Sequence, residues 1–201
     1  MATRDIIYPD YLQEEKKHLP KLLLKNVNQE RLFWTVEKLN LKKDMKLLSI
    51  GYGSGHLLYY IAGELSKSNG LVVGLDNSEI MFRHASVINK SYVKQKTVKL
   101  LTGGVRQLDY PENYFDHIFT QNIHFFWNNP VRDISQMKPL LKENGRLSLI
   151  FQPRWARNQP AIDATISRMK SVMDRAGFTH IEIDRKDMEP VPCLSICGIK
   201  K

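Results

Sequence analysis

Two cysteines in 201 residues exclude a disulfide-built scaffold. Cys193 and Cys197 stand four apart in a run that reads as a strand. At ~3.4 Å per residue they lie about 13 Å apart on one face, too far to bond to each other. Two buried free thiols are the expectation. There is no Cys-x-x-Cys and no His-x-x-x-His spacing, so no metal site is expected. No apolar run approaches the ~18–20 residues that span a bilayer, and the contenders, such as Leu47–Ile50, are strand-sized. Met1-Ala2-Thr3-Arg4-Asp5 lacks the apolar core of a signal peptide, and a cytoplasmic location without a membrane partner is the expectation. Internal repeats and low-complexity linkers are also missing. Hydrophobic residues at 42% and charged residues at 25% exclude a disordered or collagen-like chain. The length suits one domain, able to bury roughly 70% of its unfolded surface.

Acid is absent from one long stretch, Ile80 to Leu108, which carries Arg83, Lys90, Lys94, Lys96, Lys99 and Arg106. The whole chain has a formal net charge of +9. Such a balance can serve a polyanionic partner. The stretch, however, has little arginine–aromatic interleaving and matches no nucleic-acid module. It reads as a solvated face.

What is present is an alternation of strands and helices. Leu32, Phe33, Val36 and Leu39 recur at helical spacing after Asn28, a candidate N-cap. Lys46–Ile50 reads as a strand, Gly51-Tyr52-Gly53-Ser54-Gly55 as a turn, and His56–Leu65 as a helix. Leu71–Leu75 is a second strand ending in Asp76, and Ser78 can cap a helix over Glu79–Asn89. Val98–Leu101 and Phe115–Thr120 are further strands. Val131–Leu141 reads as a helix stopped by Asn144-Gly145, before a strand over Arg146–Phe151. Asp163–Ala176 reads as a helix closed by Gly177, and Phe178–Ile183 and Cys193–Ile199 as paired strands. This order implies right-handed βαβ units on a mostly parallel sheet. A ligand is then expected beyond the C-terminal strand ends, at the loop Gly51–Gly55.

A glycine-rich strand-to-helix turn lets a ligand approach the backbone closely. The dinucleotide fingerprint needs G-x-G-x-x-G, but here the third glycine comes one residue early and His56 takes its place. No Lys-Ser/Thr follows, so this is no P-loop. Asp76 ends the neighbouring strand, where a carboxylate can accept both hydroxyls of a ribose. It can equally serve the turn into the next helix.

At these motifs the sequence resembles the class I S-adenosylmethionine-dependent methyltransferases. The first motif reads Leu47-Leu48-Ser49-Ile50-Gly51-Tyr52-Gly53-Ser54-Gly55. The second reads Val73-Gly74-Leu75-Asp76-Asn77-Ser78, with Met81 and Ala85 after it. Gly103-Gly104-Val105 through Phe115-Asp116 matches the third, and Leu141-Lys142-Glu143-Asn144-Gly145-Arg146-Leu147 the late signature. The resemblance covers about residues 30–199. It implies a Rossmann-like, doubly wound α/β fold. The sheet would have seven mostly parallel strands with an antiparallel last strand, and helices on both faces. Residues 1–45 would form a helical lid or cap, with Tyr8, Tyr11, Phe33 and Trp34 as its apolar material, and residues 46–201 the core. It implies S-adenosylmethionine as cofactor and S-adenosylhomocysteine as product. The implied cofactor residues are Gly51, Tyr52, Gly53, Ser54, Gly55, Asp76, Asn77, Met81, Gly104, Val105 and Gln121.

Two positions depart from the family. Ser49 replaces an acid that helps bind the methionine ammonium, and Gly104 replaces one that accepts from the adenine amino group. A cofactor-binding but inert protein is therefore an alternative reading. In the family, methyl transfer is an in-line displacement that rests on positioning, and a base is needed only if the acceptor must lose a proton. His124, past the fourth strand, is the candidate base, and equally an edge histidine packed among Phe125, Phe126 and Trp127. Trp127, Arg154 and Trp155 are candidate acceptor residues, with Arg157 nearby; arginines there suit a carboxylate or phosphate. The expected acceptor is a small molecule, and the chain a monomer or homodimer. A nucleic-acid or protein methyltransferase and a nucleotide-dependent oxidoreductase are the remaining alternatives.

Overall fold

The computed structural model describes residues 29–122 and 129–201. Helix α1 spans Gln29–Leu39 and buries Leu32, Phe33, Trp34, Val36 and Leu39. The apolar run Lys46–Ile50 is strand β1, and helix α2 covers His56–Leu65. Strand β2 is Leu71–Asp76 and helix α3 is Glu79–Ile88. As the sequence indicated, Ser78 caps α3: its hydroxyl accepts from the Met81 N–H. The short helix α4, Lys90–Lys94, leads into β3, Val98–Thr102. Strand β4 is Phe115–Gln121, α5 is Pro130–Ser135 and β5 is Leu141–Phe151. Helix α6, Gln159–Arg175, then precedes β6, Phe178–Lys186, and β7, Cys193–Lys200.

The seven strands form one sheet in the order β3-β2-β1-β4-β5-β7-β6. The first five run parallel, and β7 is antiparallel to both of its neighbours. Strand pleating sends alternate side chains to two cores. Leu47, Val72 and Phe119 face a cluster with Leu32, Phe33, Leu57 and Ile61 from α1 and α2. Leu48, Val73, Ile118 and Leu149 face a second cluster with Ile134, Met169 and Met173 from α5 and α6. This is the doubly wound α/β arrangement expected from the alternation of elements. It leaves the C-terminal ends of β1, β2, β4 and β5 along one edge.

Three boundaries differ from the sequence reading. The helix expected over Val131–Leu141 stops at Ser135, and residues Lys138–Leu140 make a 3-10 turn. Pro139 accounts for this, since it has no N–H to continue the helix and its ring crowds the carbonyl four residues back. Asn144-Gly145 is not a helix stop but lies inside β5. Phe115 pairs with Leu141 while His117 pairs with Arg146, so residues 142–145 bulge opposite Asp116. The Lys142 ammonium closes the bulge onto Asp116 at 2.6 Å. Helix α6 starts at Gln159 rather than Asp163, because the Asn158 side chain accepts from the Ala161 N–H and Pro160 suits the first turn. Asn28 and the aromatic residues Tyr8 and Tyr11 lie outside the described residues. Both cysteines are buried free thiols.

Candidate functional site

Strand β1 ends in a loop whose three glycines all have positive φ: Gly51 at 77°, Gly53 at 56° and Gly55 at 85°. Non-glycine residues rarely hold such a run. The glycines serve different ends. A Cβ on Gly55 would come within 2.7 Å of the Ala85 Cβ on α3, so this glycine lets α2 and α3 meet. A Cβ on Gly53 or on Gly104 would meet no atom within 4 Å, so protein packing does not explain them.

Asp76 ties the loop to the next strand. Its Oδ2 accepts from the Gly53 N–H at 2.9 Å and its Oδ1 from the Ser78 N–H at 3.0 Å. The loop is also held where the Gly51 N–H donates to the Leu75 carbonyl at 2.7 Å. On the far side, the Gly103 N–H donates to the Asp76 carbonyl, and the Gly104 N–H to the Gln107 side chain at 2.8 Å.

These turns frame a cavity of about 890 Å3. Gly51, Asp76, Asn77, Gly104 and Val105, five of the expected cofactor residues, are among those that line it. Apolar material comes from Ile50, Leu75 and Met137, and polar groups from Arg106, Gln107, Asp133 and Gln136, none of which sequence reasoning had found. The cavity is nucleoside-sized, largely apolar, and carries a few convergent polar groups.

Tyr52, Gly53, Ser54, Gly55, Met81 and Gln121 are not among its lining residues. Tyr52 is buried, and its hydroxyl has no hydrogen-bond partner among the described residues. Burial first, then the charges of Asp76 and Glu79, push its pKa up to about 12, so the phenol stays neutral. The Ser54 hydroxyl sits 2.7 Å from His56 Nδ1. Met81 packs against the α1–α2 core, and Gln121 donates to the buried Thr35 hydroxyl at 3.1 Å, joining β4 to α1. Ser49 is 2% exposed and brings no charge to the site.

A second cavity, of about 400 Å3, lies at the ends of β4 and β5. Arg31, Asn122, Gln152, Arg154 and Trp155 line it. Arg154 and Trp155 were expected near an acceptor, whereas Arg31 arrives from α1, far away in sequence. His124 and Trp127 lie outside the described residues. Phe33 and Trp34 are buried: Phe33 meets Tyr60 edge to face at 5.4 Å, and Trp34 joins Ile150 and Cys193.

A family profile described as a methyltransferase domain matches residues 47–145, the stretch that builds the first cavity. An uncharacterized methyltransferase of Bacillus subtilis, YdaC, is 28% identical over 176 residues, spanning 87% of this chain and 92% of that protein. A tRNA U34 carboxymethyltransferase of Actinobacillus pleuropneumoniae is 30% identical over 107 residues, but the match spans 53% of this chain and only 32% of that relative's length. Among solved structures, a SAM-dependent methyltransferase from Aquifex aeolicus superimposes with a TM-score of 0.68 at 20% identity, covering 94% of this chain and 98% of that one. The glycine turn, the strand-end aspartate beside it and the seven-stranded order around them thus make the chain similar to the class I S-adenosylmethionine-dependent methyltransferases.

Proposed function

We propose that the chain binds S-adenosylmethionine across the strand-end cavity and passes its methyl group to a small acceptor entering from the β4–β5 side. One observation carries this reading: the carboxylate of Asp76, which lines the cavity, accepts from the N–H of Gly53 in the glycine loop at 2.9 Å. The sulfonium supplies a methyl already activated for in-line displacement. The chain's residues bind and orient. An ionised carboxylate has about four acceptor sites. Asp76 uses two on the backbone, which leaves capacity for a ribose diol. Leu75, Val105 and Met137 offer apolar surface to a purine, and Asn77 and Gly104 lie on the same wall. Gly51 to Gly55 with Tyr52 and Ser54, and beyond them Met81 and Gln121, complete the donor site in this reading. The neutral Tyr52 phenol would bring a hydrogen bond without a charge.

His124 is the base for an acceptor that must lose a proton, and Trp127, Arg154 and Trp155 wall the acceptor. Residues 1–45 cap the site. Burial of α1 against the sheet and the presence of Arg31 in the second cavity support that role. Calorimetry with S-adenosylhomocysteine and with NAD tests the donor assignment. Micromolar binding of the former with no detectable binding of NAD is the expected result, and the reverse ends this reading. A protein that binds S-adenosylhomocysteine yet labels nothing in a metabolite extract supplied with methyl-labelled S-adenosylmethionine would be the inert relative. A nucleic-acid acceptor is a second reading. The acid-free stretch Ile80–Leu108 and the tRNA-modifying relative favour it.

A further inference from the structure

Most polar groups around the strand-end cavity are already committed to the protein. The Gly51 N–H donates to the Leu75 carbonyl at 2.7 Å, and the Gly103 N–H to the Asp76 carbonyl at 2.9 Å. The Gln107 side-chain oxygen accepts from the Gly104 N–H at 2.8 Å. The Arg106 guanidinium donates to the Gln136 amide oxygen at 3.3 Å. Each oxygen of the Asp76 carboxylate accepts one backbone N–H. Asp133 is different. It is the other carboxylate of the lining, and among the described residues no hydrogen bond or ion pair engages its side chain. An ionised carboxylate only accepts, and this one has its full capacity to offer a ligand.

Packing sets where this carboxylate stands. Helix α5 starts at Asn129, whose side chain accepts from the Arg132 N–H at 3.2 Å, with Pro130 in the first turn. Ile134 and Met137 are buried in the core cluster against which Val105 and Leu108 pack. The backbone stays helical through Gln136 and Met137, so Asp133, Gln136 and Met137 share one stripe at spacings of three and four. That stripe forms a wall of the cavity, together with Gly104 and Val105. A Cβ on Gly104 would meet no atom within 4 Å, so open space adjoins it. An acid in the first turn of a helix also complements the helix dipole, but six residues make a small one.

Position gives this carboxylate a use. Strand β2 lies between β3 and β1 in the sheet. A donor whose ribose sits at Asp76 and whose chain crosses the β1 loop sends its base the other way, toward the β3 end. There Val105 and Met137 offer apolar surface to a flat ring, and Asp133 is the carboxylate without a partner. The exocyclic amine of adenine is a donor, whereas a 6-oxo purine presents an acceptor at the same place. We infer that Asp133 is a specificity-determining residue: its carboxylate accepts from the adenine amine and makes the donor site reject a 6-oxo purine. Asn77, exposed on the same cavity, carries both a donor and an acceptor, so it does not tell the two bases apart. Asp133 takes no part in methyl transfer. The inference rests on the donor reading given above.

The test is calorimetry of the full chain with two probes, S-adenosylhomocysteine and S-inosylhomocysteine, in which an oxo group replaces the amine. Wild type should bind the adenosyl compound at least about tenfold more tightly, since a charge-assisted hydrogen bond is exchanged for a repulsive contact. Asp133→Ala should weaken the adenosyl compound by about that factor and leave the two affinities within about threefold of each other. Asp133→Asn keeps the shape and can present either its oxygen or its amide N–H, so it should bind the two compounds about equally. A residue that serves only the helix would lower the melting temperature in both variants and leave the ratio of affinities unmoved. That outcome overturns the inference, as does a wild type that binds the two compounds equally. If neither compound binds wild type, the donor reading falls and the inference with it. If S-adenosylhomocysteine binds tightly and its preference survives Asp133→Ala, the inference alone falls.

Discussion

Each oxygen of the Asp76 carboxylate already accepts one backbone N–H, from Gly53 and from Ser78. The residue therefore shapes the site as well as facing it. Asp76→Ala removes both bonds together with the acceptors offered to the ribose. Hydrogen bonds to a charged group are worth about 1.5–3 kcal/mol each. S-adenosylhomocysteine affinity should fall roughly a hundredfold or more by calorimetry, and the melting temperature by several degrees. Asp76→Asn keeps one acceptor and should lie between. Wild-type affinity in both variants, with lower melting temperatures, would make Asp76 a turn residue only. A second residue reports on the fold alone. His117 is fully buried, with Nε2 2.8 Å from the Ser148 hydroxyl. Burial first, then the charge of Arg146, push its pKa down to about 3. Between about pH 6.5 and 3 the unfolded chain takes a proton that the folded chain refuses. Stability is therefore full above the unfolded pKa and is lost as pH falls, by an amount on the order of a few kcal/mol. The melting temperature of wild type should drop more steeply from pH 7 to 4 than that of His117→Gln. Parallel pH profiles would assign the acid sensitivity elsewhere.

At the scale of elements, the turn between β1 and α2 holds, within five residues, one glycine that packing requires and one that packing does not explain. Gly55→Ala would force a Cβ to 2.7 Å from Ala85 Cβ and 2.9 Å from its Cα, at a φ of 85°. Helices α2 and α3 must then part, and overpacking of this kind costs about 1–3 kcal/mol. Gly53→Ala meets no atom and should cost about 1 kcal/mol for its left-handed backbone. It should nevertheless reduce S-adenosylhomocysteine affinity more than Gly55→Ala does, since on the proposed reading its methyl, which meets no protein atom within 4 Å, takes space beside the ligand. Paired melts and titrations check this, and equal losses of affinity would refute the division of labour. The turn was legible in the sequence because its signals are local: an apolar strand, positive-φ glycines, a strand-end aspartate and a serine cap. The Val131–Leu141 stretch was misread because Ile134, Met137 and Leu141 are indeed buried, so their spacing imitates one helix, and Pro139 was given too little weight. The second cavity was half legible. Arg154 and Trp155 follow a strand end, but Arg31 reaches Gln152 across 121 residues, and no local pattern carries that contact.

For the whole molecule the question is what the positive charge is for. Arg83, Lys90, Lys94, Lys96, Lys99 and Arg106 are all exposed, on α3, α4, the turn between α4 and β3, β3 and the 3-10 turn that follows. Among the described residues no ion pair engages them, so their field reaches solvent. Part of the pattern has a plain account. Strand β3 is an edge of the sheet, and lysines on an edge discourage pairing with another chain's strand. Lys99 also lies 5.1 Å from the Tyr110 ring centre. On the reading proposed above the acceptor is small, whereas a tRNA acceptor would make this face a docking surface. Salt separates the two. Contacts to n phosphates release about 0.9n counterions on a duplex, so even nonspecific binding weakens as a steep power of salt concentration. Bulk tRNA should be retained only at about 50 mM salt and released by about 200 mM, with no preference over poly-uridylate. Replacing Lys90, Lys94 and Lys96 together by glutamine should remove this residual retention without changing S-adenosylhomocysteine affinity. Retention of one tRNA above about 200 mM salt, lost in the triple variant, would show that the face is an RNA-binding surface and that the acceptor is not small.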